Sequence, residues 1–251
     1  MLTQERQGLI EEFVNQHQVC HVSDLCELTN TSESTIRRDL IQMEKLGLLK
    51  RVHGGAQSVK NFSQDIAQTV RFNLNHDQKQ LVARYAAQNF VKPGDNIFID
   101  AGTTTYEMVA FLSNIPNLHV VTNGVETALS CLNHGISTIL IGGKVKADTH
   151  AVVGSTAISQ IKGMHFSASF IGANGISSDG SITTPDSEEA AVKMAEITQS
   201  QHAFVVTDSS KIGVSNFAVF AKVQDVTLIT DEINESKKKL LNKEVKLEEV
   251  K

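Results

Sequence analysis

Two groups of residues in this chain have types and spacings suited to holding phosphate-bearing partners. The first is Ser32, Ser34, Thr35, Arg37, Arg38 and Lys45, followed by Lys50, Arg51 and His53 ahead of Gly54-Gly55. Short hydroxyl side chains and arginines along one helix can meet base edges and phosphates in a major groove, arginine through bidentate bonds to guanine. The second group is a series of polar segments: Asp100-Ala101-Gly102-Thr103-Thr104-Thr105, Thr122-Asn123-Gly124, Gly142-Gly143-Lys144, Gly172-Ala173-Asn174-Gly175 and Asp208-Ser209-Ser210-Lys211. Gly102 lets a ligand approach the backbone, and Thr103, Thr104 and Thr105 supply hydroxyls and amides where a helix dipole favours an anion. Lys144 and Lys211 can add positive charge, Lys211 being preferred, while Asp100, Asn123, Asn174 and Asp208 can pair with ligand hydroxyls.

Elements that would position the first group follow from periodicity. Ser32 is a good N-cap, and Ile36, Leu40 and Met43 then form a one-sided apolar stripe. At about 100° per residue, Ser34, Arg38, Ile41 and Lys45 fall opposite that stripe, with Arg37 on its flank. Asp39 lies toward the core side, where pairing with a neighbouring arginine or capping a turn is expected instead of contact with an anionic duplex. Upstream, Leu9, Ile10, Phe13 and Val14 suggest a first helix, and Val22, Leu25, Cys26 and Leu28 a short second one entered through Ser23. Residues 48–52 have strand character, so Lys50, Arg51 and His53 belong to a wing beside the phosphate backbone. Between Arg37 and Lys60 six basic residues face two acids, a local net of +4 in a chain of formal net charge −5. Local charge governs DNA affinity, so the acidic total does not argue against DNA. A winged helix can also serve as a protein-interaction module with a solvated basic face, but cap, stripe, arginines and wing together favour DNA.

The second group implies a different architecture. Apolar β-type runs at 96–100, 118–122, 137–141, 167–171, 203–207 and 226–230 alternate with helical stretches. This is the pattern of an α/β domain with a doubly wound, mostly parallel sheet. Each polar segment directly follows one of the first five runs, and open α/β sheets bind ligands outside the carboxyl ends of their strands, so five loops describe one pocket. Gly-Thr-Thr-Thr alone is equally a helix cap; its four companion loops favour a ligand site. Asp179-Gly180 reads as a tight turn, and Asp186 or Ser187 before Glu188 and Glu189 reads as a helix start. That hairpin-and-cap reading weighs about as much as direct sugar contact by Asp186 and Glu188.

The expected organisation is therefore a winged helix-turn-helix at 1–57, a linker at 58–75 and an effector domain at 76–251 of the 251 residues. Phe62, Ile66, Val70 and Phe72 are too apolar for a purely flexible tether, so part of the linker is expected to pack on a domain. No run is apolar enough to span a bilayer and no signal peptide opens the chain, which points to the cytoplasm and no membrane partner. Cys20, Cys26 and Cys131 are odd in number and lack CxxC spacing, so buried reduced thiols are expected, with no metal and no cofactor.

Arg6, Ile10 and Val14 at four-residue steps, then Ser32-x-x-Thr35-Ile36-Arg37-Arg38-Asp39-Leu40 and His53-Gly54-Gly55-Ala56, resemble the DNA-binding signature of DeoR-family bacterial transcription regulators. The resemblance implies that residues 22–45 contact DNA and that the remaining chain is similar to ribose-5-phosphate isomerase and glucosamine-6-phosphate deaminase. Gly102 to Thr105 then match a phosphate loop, while Asn123, Gly142, Gly143, Asn174, Asp186, Glu188, Asp208 and Lys211 line a sugar pocket. More narrowly, Gln160-Ile161-x-x-x-His165-Phe166, Phe170-Ile171-Gly172-x-Asn174-Gly175-Ile176 and Thr183-Thr184-Pro185-Asp186-x-Glu188-Glu189-x-Ala191-Val192-Lys193 resemble fructose operon repressors of Gram-positive bacteria. That implies a repressor controlled by fructose 1-phosphate, with tagatose 6-phosphate repressors as near relatives. The chain departs from the expected pattern at Asn123-Gly124, where serine often follows asparagine, and at Ser209, where a second lysine is usual. Helix-turn-helix operators are usually read by symmetric assemblies, so a homodimer or homotetramer is expected on double-stranded operator DNA. The alternative is a sugar-phosphate isomerase or deaminase with an accessory DNA-binding domain, using Asp100, Asp186, Glu188 and Asp208 as acid/base groups. Against it, no His-carboxylate pair and no nucleophile beside a base marks the five loops, so no catalytic residue is assigned.

Overall fold

The computed structural model describes residues 3–17, 19–52, 54–58, 71–72, 74–241 and 245–251. The chain divides into two compact units, Met1–Ile66 and Ala67–Lys251.

The first unit contains α1 (Thr3–His17), β1 (Val19–His21), α2 (Val22–Thr29), α3 (Glu33–Lys45), β2 (Leu49–Val52) and β3 (Gly55–Ser58). The apolar stripe of α3 faces inward as its spacing demands: Ile36, Leu40 and Met43 are fully buried beside Ile10, Val14 and Leu25. The second helix starts at Val22 and not after Ser23, because the Asp24 carboxylate accepts from His21 N at 2.9 Å and fixes the turn one residue earlier. Asn30, in the left-handed region at φ 50°, ends it. Leu28, expected on the inner face, is exposed. The wing is more than a hairpin, since β1 adds to β3 in a three-stranded sheet ordered β1-β3-β2. Gly55 permits this, because a Cβ there would lie 2.0 Å from the Cys20 carbonyl oxygen.

The second unit begins its main layer with α4 (His76–Phe90), β4 (Asn96–Ile99), α5 (Thr103–Tyr106), β5 (His119–Thr122), α6 (Val125–Asn133) and β6 (Ser137–Leu140). A short antiparallel pair, β7 (Lys144–Val145) and β8 (Val152–Val153), then leads through α7 (Ser155–Lys162) to β9 (Phe166–Ile171). The chain continues with β10 (Gly175–Ile176), β11 (Ser181–Thr184), α8 (Ser187–Thr198), β12 (Ser200–Val206), β13 (Ala218–Lys222), β14 (Thr227–Asp231), α9 (Glu235–Leu240) and β15 (Lys246–Val250). Seven strands form one fully parallel sheet ordered β15-β14-β12-β9-β4-β5-β6, and β10, β11 and β13 form a small antiparallel sheet. The doubly wound expectation holds, with β15 as a strand the sequence pattern missed: its alternation of Lys246, Glu248 and Glu249 with Leu247 and Val250 hides an apolar run. From β4 the chain adds β5 and β6 on one side and later β9, β12, β14 and β15 on the other, so the strand order reverses between β4 and β9. That reversal opens a crevice at the carboxyl ends of these two strands.

One face of this sheet is covered by α4, whose Val82, Ala83, Ala86 and Ala87 are buried with Ile97, Ile99 and Phe170. Of the apolar residues expected between the units, Phe72 packs edge-on against Tyr106, ring centroids 5.0 Å apart, whereas Phe62, Ile66 and Val70 lie outside the described residues. Cys20 and Cys131 are buried free thiols, while Cys26 is only half-buried. Among the described residues, no helix is long and apolar enough to cross a membrane and no group of His, Cys, Asp or Glu is placed to hold a metal ion.

Candidate functional site

At the amino end of α3, Ser32 occupies the N-cap with extended backbone, but its hydroxyl reaches Ser34 Oγ and Thr35 Oγ1, both at 3.0 Å, and makes no backbone cap bond. The result is a cluster of hydroxyls at the helix start. Ser34, Arg37, Arg38 and Lys45 are exposed and Thr35 is half-buried. Arg37 pairs with Glu33 at 3.2 Å in full solvent, a contact weak enough to yield to a phosphate. Arg38 and Lys45 make no ion pair among the described residues. Glu44 accepts from Arg51 N at 2.8 Å and lies 3.8 Å from the Arg51 guanidinium, tying the end of α3 to the wing. Lys50 stands exposed beside it, opposite Gln57, and His53 lies outside the described residues.

Asp39 is buried and receives Arg6 Nε at 2.6 Å, Arg6 Nη2 at 3.3 Å and Gln7 Nε2 at 3.2 Å. The expected arginine partner is thus on α1, and the pair fixes the roll of α3 against the unit's core. Burial opposes the Arg6 charge less than the Asp39 hydrogen bond favours it, so its pKa stands above the ordinary arginine value.

In the second unit the loops after β4, β5 and β9 meet at the strand-order reversal. Asp100 is buried and accepts from Gly172 N at 2.9 Å and from the Lys193 ammonium, which also donates to Gly172 O at 3.1 Å. Burial works against the Lys193 charge, but Asp100, Glu196 and Glu189 outweigh it and raise its pKa. Neighbouring Glu196 is fully buried, and burial followed by the Asp100 charge pushes its pKa well above the ordinary carboxylate value. Thr105 Oγ1 stands within donating distance of the Asp100 and Gly102 carbonyls, at 2.7 and 2.9 Å, and accepts from Gly102 N at 3.1 Å. Asn123 accepts from Ala101 N at 2.8 Å, and Thr122 Oγ1 both contacts Ile99 O at 2.5 Å and accepts from Gly124 N at 3.0 Å. Asp100, Thr122 and Asn123 therefore tie neighbouring strand ends and loops to one another, while Thr105 braces the loop after β4. Thr103 and Thr104, at the start of α5, make no side-chain hydrogen bond among the described residues.

The next group is built on α8. Asp186 caps this helix by accepting from Glu189 N at 2.9 Å, which settles the cap at Asp186 and not Ser187. Lys146 bridges Asp186 at 3.1 Å and Glu189 at 3.0 Å, and Thr149 donates to Glu189 at 2.7 Å. Asn174 accepts from Thr184 at 3.1 Å. Gly142 exchanges bonds with the Gln160 carboxamide, and beyond it Lys144 and Glu188 pair with each other at 2.8 Å on the surface. The turn at Asp179-Gly180 is as expected, with Gly180 at φ 77°.

The last group was only half legible. Asp208 accepts from Asn75 Nδ2 at 2.9 Å, from Ser210 N at 3.0 Å and from the Ser210 hydroxyl, while its buried Oδ2 has no partner among the described residues. Burial alone would raise its pKa, but Lys211, Ser210 and Lys79 hold it below the ordinary carboxylate value. Lys79, on α4, is nearly inaccessible and donates to Arg71 O; burial first, with Lys211 and Arg71 adding repulsion, lowers it to about 8. Lys79 has no place among the residues singled out in the sequence, and Lys193 stands there only as the end of a motif, without a role. Their signal was a single lysine at core spacing: Lys79 precedes Val82, Ala83 and Ala86 by three, four and seven residues, and Lys193 sits beside Val192 on the inner face of α8.

A model of the DeoR-like helix-turn-helix domain matches residues 6–62, and one of the DeoR C-terminal sensor domain matches residues 74–232. The chain belongs to the DeoR family. It is 40% identical over 94% of its length, and 93% of the relative's, to the uncharacterized HTH-type transcriptional regulator FruR of Bacillus subtilis (strain 168). It is 31% identical over 97% of its length, and 98% of the relative's, to the lactose phosphotransferase system repressor of Streptococcus mutans. A looser likeness joins it to ribose 5-phosphate isomerase A from Methanocaldococcus jannaschii, at TM-score 0.41 and 17% identity over 55% of this chain and 54% of that one. As a DeoR protein the chain is a transcription regulator in which a DNA-binding domain precedes a sensor domain, and not an enzyme. The helix-turn-helix match contains α3 and the wing, and the sensor match contains Lys79 and all five strand-end loops.

Proposed function

We propose that this DeoR protein is a cytoplasmic repressor of a sugar-utilisation operon, most specifically a fructose operon, whose grip on operator DNA is set by a phosphorylated sugar. The observation that carries the sensor half is the meeting of buried Lys79, half-buried Lys211 and the partly unpartnered Asp208 beyond the strand ends. Two cations beside a carboxylate with a free oxygen suit a ligand that is both phosphate and polyol. Thr103 and Thr104, with Gly102, offer amides and hydroxyls to the phosphate, while Asp100, Thr105, Thr122 and Asn123 shape the loops around it. Gly142, Gly143, Asn174, Asp186 and Glu188 form the remaining wall, with Lys144 held by Glu188 at the rim. On the DNA side, Ser32, Ser34, Thr35, Arg37, Arg38 and Lys45 face the groove, and Lys50, Arg51 and His53 face the backbone.

The domain limits of this reading are 1–57 and 76–251 with a linker between them. Fructose 1-phosphate is the effector this reading favours, with tagatose 6-phosphate as the second candidate; relatives named FruR and lactose phosphotransferase system repressor fit a sugar-linked regulator. Only a ligand with different affinities for the DNA-bound and free states can act as a switch. The test is operator binding at fixed salt, titrated with a panel of sugar phosphates and their unphosphorylated sugars. Fructose 1-phosphate should change operator affinity and fructose should not. Equal effects from both, or none from any phosphosugar, would refute the reading.

A further inference from the structure

The seven-stranded sheet of the second unit ends in two edges of opposite chemistry. At one end, β15 carries Lys246, Glu248 and Glu249 within five residues, and its acids are engaged by Tyr85 at 2.7 Å and Lys238 at 3.1 Å. Charged side chains of this kind protect an open ladder from another strand. At the other end, β6 reads Ser137-Thr138-Ile139-Leu140, with no charge and no proline, and among the described residues it pairs only with β5. Ile139 is 52% exposed and Leu140 44%. The helix leading into this strand, α6, exposes Leu129 by 57% and Leu132 by 64%, one turn apart. Single exposed aliphatic residues are ordinary, but four on one edge strand and its adjoining helix, beside unpaired backbone groups, make an unprotected edge.

We infer that this edge docks a second copy of the chain, β6 lying antiparallel to β6 of its two-fold mate, with Leu129, Leu132, Ile139 and Leu140 closing the seam. Three observations favour a second copy over another partner. A two-fold axis brings a patch onto itself, so a charged patch would meet its own sign; these four positions and all of β6 carry no charge. An antiparallel pair satisfies the outward N–H and C=O groups of both strands at once. The assembly then stops growing through the sheet, because each copy's remaining edge is the charged β15.

Solution mass of the full chain, measured by light scattering, tests this directly. Leu132→Lys with Ile139→Lys places like charges across the axis and should halve the mass of the assembly while far-ultraviolet circular dichroism stays unchanged. A second variant avoids dependence on that double substitution: Ile139→Cys at an exposed position should cross-link to its mate with a bis-maleimide well beyond the level of the unsubstituted protein. A monomeric unsubstituted chain overturns the inference, as does a lysine variant of unchanged mass. Absence of the added cross-link in Ile139→Cys, or an assembly dissolved instead by Phe217→Ser at the exposed Phe217, also overturns it.

Discussion

At the scale of single residues, what distinguishes Arg37 and Arg38 from Arg6 is the environment of the guanidinium. Arg6 is committed to buried Asp39, whereas Arg38 stands in solvent on the outward face of α3. Arg38→Ala should therefore leave folding intact and weaken specific operator binding by roughly ten- to a hundredfold, the size of one lost bidentate base contact. An unchanged footprint at constant salt would remove Arg38 from the reading set. Lys79 carries the second residue-scale prediction. Its pKa of about 8 lies below the 10.5 of an unburied lysine, so burial disfavours its charged form. A bound phosphate favours that form and raises the value, so binding takes up a proton once Lys79 has begun to lose its own. Phosphosugar affinity should accordingly fall as the pH rises above about 8, a range in which the phosphate, with a second pKa of about 6, is already ionised. Lys79→Met should bind more weakly and lose this slope; equal slopes in both proteins would remove Lys79 from the site.

At the scale of elements, the wing depends on a backbone contact that a side chain would obstruct. Gly55→Ala would bring a Cβ to 2.0 Å from Cys20 O and force β3 from β1. The expected outcome is a lower melting temperature for the DNA-binding unit and a shallower salt dependence of operator binding as wing phosphate contacts are lost, with phosphosugar affinity unchanged. Gly8→Ala on α1, where a Cβ meets nothing within 4 Å, is the control and should not destabilise. Helix α3, six of the seven sheet strands and the polar loops after them were legible because apolar period and turn chemistry are local. β1 was not, since three residues acquire strand geometry only by pairing with β3, some 35 residues later. β15 escaped notice for the related reason that its edge position leaves charged residues in the strand.

At the scale of the whole molecule, the two halves must report to each other if a phosphosugar is to release DNA. Thr103→Ala combined with Lys211→Ala should preserve operator binding and abolish its response to the phosphosugar. Normal release by that double variant would show that the phosphate lies elsewhere. Both substitutions are in the sensor domain, so a loss of basal operator binding would instead mean that the sensor fold helps to set DNA affinity without ligand.

The amino-acid sequence by itself determined the outward arginines of α3, the parallel α/β architecture, a helix start at Asp186 or Ser187 and the places where polar loops collect. Each rests on interactions within a few residues, which periodicity and side-chain type encode directly. Only the tertiary structure decided that Asp39 belongs to Arg6, that Asp100 and Asn123 hold loops together, and that Lys79 and Lys193 enter the sensor's interior. Those pairings join residues up to 93 positions apart in the case of Asp100 and Lys193, and buried charge is stable only where folding brings such partners together.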